Sequence, residues 1–272
     1  MNRLETIRRI VEEADRGELV FPTNVRAAIK LQQALNEPDC HLETAAQLVL
    51  AEPLVAARVV SIANSVAYTR YGAKVDNVRN AVQLLGFKTL RALVAAIIVR
   101  QFSGGIADPA LREKADRLWL HCAHVAALAK VLAGRVRGQD ADTAMFAGIV
   151  HEIGGFYLLS RAEELPVLLD AGSGEEDFAL TRGILGILMV PKTVVAAVLE
   201  LWEQAHNLPP VLLGDTLALA NRLSPVSSPL EPASGAESAP EIPDVALQGK
   251  KLQAILAESG GEIQSLTDML LA

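Results

Sequence analysis

The sequence predicts an all-α fold, and three observations carry that expectation. Apolar residues recur at helical spacing along most of the chain, and nowhere does the alternation of a half-buried strand appear. The composition is 51% hydrophobic but only 4% aromatic, so Ala, Leu, Val and Ile must fill the core, which suits packed helices. Proline and glycine fall where helices start and stop, with Pro22, Pro53 and Pro109 at starts and Gly17 and Gly86 at ends.

Residues 2–16 read as an amphipathic helix with Leu4, Ile7, Ile10 and Val11 on one side. Pro22 opens a second helix through Leu35, and Asn36-Glu37-Pro38-Asp39 makes a turn. A third helix spans Leu42–Ala51. A fourth starts at Pro53 and carries Val55, Val59 and Ile62 to Asn64-Ser65, whose short polar side chains can bond freed backbone groups. Tyr68–Lys74 is a loop. Asp76 caps a short helix, Asn77–Leu85, ended by Gly86, and Phe87–Phe102 forms a longer one. Asp108-Pro109 starts a helix to about Arg137. An apolar helical run begins near Asp142. Arg161–Leu169, an acidic turn at Gly172–Asp177, and helices to Val190, over Pro191–Ala205 and over Pro210–Leu223 complete the regular pattern.

Ser224–Pro243 holds five prolines and five serines without apolar periodicity and reads as a linker. Two short helical patterns, Val245–Ala257 and Ile263–Leu271, close the chain. The break at Ser103-Gly104-Gly105 divides an N-terminal helical lobe, 1–105, from a second lobe, 106–223, followed by a flexible linker, 224–243, and a C-terminal helical segment, 244–272.

Chemistry concentrates at Ala147–Phe156. At about 100° per residue, Ala144, Ala147, Gly148, Gly155 and Leu158 fall near the face that carries His151. So many small residues imply that His151 is buried at a close helix crossing. Glu152 follows it, and a His-acid dipeptide on such a face is how a helical phosphohydrolase offers two ligands to one metal. On the preceding helix His121 shares a face with Leu118, Val125, Leu128 and Leu132, and His124 sits to its side as a spare nitrogen donor.

Composition narrows the remaining classes. Cys40 and Cys122 are far apart and in no metal spacing, which fits a reducing compartment. No signal-peptide pattern is visible, and the longest apolar run, Ala92–Val99, is too short to span a bilayer, so a cytoplasmic protein without membrane partners is expected. The formal charge of −7 argues against general nucleic-acid binding, and no DNA partner is expected. Arg58–Arg100 nevertheless holds seven basic residues against one acid. Within and beside it, Arg58, Asn64, Ser65, Arg70, Lys74 and Arg79 form a candidate surface for an acidic protein or a nucleotide phosphate. No nucleophile elbow, phosphate-binding glycine loop or Cys-x-x-Cys is present.

Gly17-Glu18-Leu19-Val20-Phe21-Pro22-Thr23, Glu52-Pro53-Leu54 with Arg58–Ser65, Ala81–Gly86, the Trp119/Cys122/Ala126 helix and Ala147–Gly154 form a set of stretches in a fixed order. Together they resemble the HDOD family, the HD-related output domain of bacterial signalling proteins. The resemblance covers roughly residues 10–225. It implies a helical lobe packed on an HD-like helical lobe, and a regulatory output role without catalysis or cofactor, with a signalling-pathway protein as partner. It also implies that His121 and His151 stand where a working HD site has its histidines, and that Glu152 stands where it has Asp. No later acid can be placed from the sequence. A vestigial core cluster, a structural metal site and a working metallo-phosphohydrolase are the three readings of His121, His151 and Glu152; the first is the expectation, with no metal.

Overall fold

Side-chain caps fix several helix starts in the computed structural model, which describes residues 2–16, 18, 19, 21, 26–65, 68, 75–170, 174–203, 205–231 and 241–271. In α1 (Arg3–Asp15) the Asn2 side chain accepts from the Glu5 amide, and Glu5 accepts from the Asn2 amide. Next come α2 (Arg26–Asn36), α3 (Leu42–Leu50) and α4 (Pro53–Ala63), the last with proline in its first turn. The expected opening of the second helix at Pro22 lies outside the described residues, as do Arg70 and Lys74. The cap of α5 (Val78–Ser103) is Asn77, not Asp76: the Asn77 side chain accepts from the Asn80 amide. Gly86 interrupts this helix at φ 73°, so the two helices expected here are two limbs of one element bent at a glycine.

Asp108 caps α6 (Pro109–Ala133) through the amides of Ala110 and Leu111. This helix stops before the expected Arg137. The chain there tightens into bonds from Arg135 to Leu132 and from Val136 to Ala133, and turns at Gly138 with φ 85°. After α7 (Ala141–Val150) and α8 (Ile153–Arg161) come a 3-10 turn at Pro166–Leu169, α9 (Glu175–Ile187), α10 (Lys192–Glu200) and α11 (Leu213–Arg222). The supposed acidic turn ends as the first turn of α9, where Glu175, Glu176 and Asp177 complement the helix dipole. The only strands among the described residues are the ribbon β1 (Ala246–Leu247) and β2 (Lys250–Lys251), turned through Gln248 and Gly249 at positive φ. A single helix, α12 (Leu252–Leu271), replaces the two expected patterns. It runs through Gly260-Gly261 because Leu252, Ile255, Ser259, Leu266, Met269 and Leu270 are buried along it, and packing outweighs the glycines' low propensity.

The architecture is all-α. α5 is the central post: α2, α3 and α4 pack on it, and so do α7 and α8. It is long and apolar enough to cross a membrane, yet 61% of its most apolar window is buried inside the protein, as in the core helix of a soluble domain. α6 is flanked by α7, α11 and α12. α1 docks on α9, with Arg3 pairing to Asp177 at 2.7 Å and donating to the Leu168 carbonyl at 3.1 Å. Phe21, Phe102 and Tyr157 form an aromatic trio with centroids 5.9–6.3 Å apart, tying the segment before α2 to α5 and α8.

Candidate functional site

The α6–α7 crossing brings the candidate residues together. A Cβ on Gly148 would stand 2.5 Å from the Ala126 Cα, so only glycine permits this approach. That places His121 beside His151, both buried, with Nε2 atoms 3.2 Å apart. The helix does not continue through His151 as the periodicity suggests. α7 ends there, and α8 begins after Glu152, so Gly155 and Leu158 do not share the His151 face. One physical reason is local: His151 Nδ1 donates to the Gly148 carbonyl at 2.7 Å, a bond that competes for an acceptor at the helix end. The same break turns Glu152 towards the histidines, and ligand atoms of all three residues lie within 4.8 Å of one another.

The hydrogen bonds fix the ring tautomers. His121 Nδ1 stands 2.6 Å from the Val226 carbonyl, an acceptor only, so this nitrogen carries its proton, as His151 Nδ1 does towards Gly148. In two neutral rings both Nε2 lone pairs then face each other. Burial holds the pKa of His151 down to about 4; burial and His151 do the same for His121. Both rings are therefore uncharged at neutral pH. Burial also raises the Glu152 carboxyl, against the opposing pull of His121 and a hydrogen bond from Ser228.

These residues fit one metal ion. Two nitrogen donors about 2.1 Å from a shared ion would stand roughly 3.3 Å apart, and His121 Nε2, His151 Nε2 and the Glu152 carboxylate are the groups that would hold it. Such an ion, when bound, would supply Lewis acidity towards a phosphoryl oxygen and acidify a water.

Two features escaped the sequence reading. Asn221 on α11 reaches both His121 and Glu231 with its side chain, and Glu231 in turn lies near enough to Glu152 for the two carboxyls to repel. It is an amide and brings no charge. The second feature is Ser224–Glu231, read from its composition as part of a flexible linker. It is instead a strap over the cluster: Val226 accepts from His121, Ser228 is buried and bonds Glu152, and Leu230 sits where a Gly155 Cβ would go. A Ser-Pro-x-Ser-Ser-Pro composition signals irregular backbone, and this irregular backbone is packed. Residues 232–240 of the expected linker lie outside the described residues.

The other candidates go elsewhere. His124 is half-buried and faces Asp268 of α12, away from the cluster. Asn64 ends α4 and clamps the returning chain, donating to the carbonyls of Val60 and Val75 and accepting from the Val75 amide at 2.9 Å. Ser65 follows it, partly buried. Arg79 pairs with Glu43 at 2.9 Å on the surface, and Arg58 donates to the Leu270 carbonyl at 2.9 Å. Within the basic segment Arg79, Lys88 and Arg100 meet carboxylates, whereas Arg58 meets only a neutral carbonyl.

The HDOD domain profile matches residues 21–213, and the chain belongs to the HDOD domain family. Solved structures with the same fold include a proposed metal-dependent phosphohydrolase from Shewanella amazonensis SB2B, 18% identical with a TM-score of 0.64, each chain covered to 99%. An HDOD domain protein from Geobacter sulfurreducens is 21% identical, with a TM-score of 0.63 and coverage of 98% of this chain and 99% of that one. A proposed signal transduction protein from Marinobacter aquaeolei VT8 is 20% identical, with a TM-score of 0.56 over 93% of this chain and 60% of that one. No curated protein matches the chain significantly.

Proposed function

We propose that this chain is a non-catalytic signal-transduction domain that acts by binding a partner protein of its pathway, with a degenerate HD-type site as part of its core. The observation that carries the proposal is the closure of the cluster. His121 and His151 are 2% and 4% exposed, the Val226–Leu230 strap bonds to two of the three donors, and the position beside His121 is held by the uncharged Asn221. A phosphohydrolase must admit an anionic ester to its metal; burial of both histidines and the strap across them oppose that entry and support the reading, while Glu152 keeps partial exposure. The lobes at 1–105 and 106–223 belong to the same proposal, amended in that α1 joins the second by docking on α9.

The second reading, a metal-dependent phosphohydrolase of nucleotides or cyclic dinucleotides, is favoured by the facing Nε2 pair and its carboxylate. Metal content after chelator-free purification, together with hydrolysis of nucleotide esters in added manganese, separates the two. The expected result is no turnover above background, and metal uptake that increases in Glu152→Asp/Asn221→Asp. Wild-type hydrolysis lost in both His121→Ala and His151→Ala, with the fold intact, would overturn the proposal.

A further inference from the structure

About 200° around α6 from His121, Trp119 lines a cavity of about 660 Å³. Three helices turn matched faces towards it. Arg112, Asp116 and Trp119 recur at helical spacing on α6; Leu93, Ala96, Ile97 and Arg100 do so on α5; Arg58 and Ile62 do so on α4. Leu270 of α12 closes one side.

The polar groups here are not spent. Arg100 is paired with Asp116 at 2.5 Å. Arg58 and Arg112 have only neutral carbonyl partners, Leu270 and Ile106, and neither has a carboxylate partner among the described residues. Two further groups, Trp119 Nε1 and Ser103 Oγ, are buried with no hydrogen-bond partner, and both residues line the cavity. The Trp119 and Ser103 polar atoms lie sealed behind the wall, whereas the half-buried Arg58 guanidinium, without a carboxylate, has a charge that an anion in the cavity can meet. Capping of α12 accounts for one Arg58 donor, and the Ile106 carbonyl takes two Arg112 donors, but neither bond neutralises a guanidinium charge.

We infer that the cavity binds an aliphatic anion: a carboxylate or phosphate head held by Arg58 and Arg112, and an apolar body against Ile62, Leu93, Ile97 and Leu270. The volume is that of a small-molecule site. A nucleotide fits the walls less well. They are aliphatic, and the one aromatic, Trp119, is 2% exposed and packed edge-on to Phe156 at 6.4 Å, with no free face for a base. This site is separate from the histidine cluster and does not depend on the reading given to it.

Trp119 and Trp202 are the only tryptophans, so Trp202→Phe leaves Trp119 as the sole reporter. Decanoate and decyl phosphate, titrated below micelle formation, are expected to change Trp119 emission saturably and to raise the melting temperature. Decanol, decylamine and AMP are expected to do neither. The exposed Arg112→Gln is expected to weaken anion binding by about tenfold, and Ala96→Phe, which fills the cavity, to abolish it, each with an unchanged circular dichroism spectrum. The better of the two anions identifies the head group. The inference is overturned by an absent response to both anions, by decanol or AMP binding as tightly as either, or by undiminished binding in both variants.

Discussion

Two buried polar regions lie on either side of α6, and they are built in opposite ways. Around His121 and His151 the donors and acceptors mostly meet partners in the chain: Nδ1 atoms on carbonyls, Ser228 on Glu152, Asn221 between His121 and Glu231. Trp119 Nε1 and Ser103 Oγ have no such partner, and their residues form part of the wall of an open cavity. The first region resembles an active site in sequence, and in the structure its histidines are buried beneath the strap. The second has no motif, yet it has the unsatisfied chemistry of a place where a ligand binds. Residue types that suggest catalysis therefore say less than the state of their hydrogen bonds.

The largest expected effect tests the crossing that holds the histidine region together. Gly148→Leu should cost roughly 2–4 kcal/mol by driving a side chain into the Ala126 backbone. Urea unfolding measures it, and a wild-type midpoint would mean that the two helices are not in contact there.

Acid should distinguish the two regions next. The folded pKa values of His121 and His151 are near 4, below the unfolded value of about 6.5. Below that unfolded value the unfolded chain binds more protons, so stability is complete at neutral pH. It falls as pH drops towards the folded value, by up to a few kcal/mol, and levels off below it. Metal-free His151→Ala should show a shallower fall between these limits in denaturant midpoints recorded against pH. Equal slopes for wild type and variant would remove burial as the cause.

At neutral pH, His151→Ala should cost on the order of 1–3 kcal/mol through the lost packing and the Gly148 carbonyl left without its side-chain donor. The finest comparison uses two buried serines. Ser228→Ala should destabilise by about 1 kcal/mol because a bond to Glu152 is lost, whereas Ser103→Ala should stay within about 0.5 kcal/mol because its hydroxyl has no partner in the chain to lose. Equal losses at the two positions would erase the distinction between a partnered and an unpartnered serine.

Much of this molecule was legible in one dimension. The helical period, the prolines at positions 53 and 109, the cap at Asp108 and the turn at Gly86 are each encoded within about one helical turn, and they specify the all-α class and most boundaries. The small residues around His151 announced the close crossing, and His121, His151 and Glu152 were visible as a set. Contacts across long stretches of chain were not. Val226 meets His121 from 105 residues away, Leu270 meets Arg58 from 212 away, and Asn221 reaches the cluster only because α11 packs on α6. Proline- and serine-rich composition records what a backbone cannot do regularly, not what it packs against, so the strap read as a linker. Cavities leave a still fainter trace: Arg112, Asp116 and Trp119 follow an ordinary helical spacing, and only the placement of three other helices left space beside them.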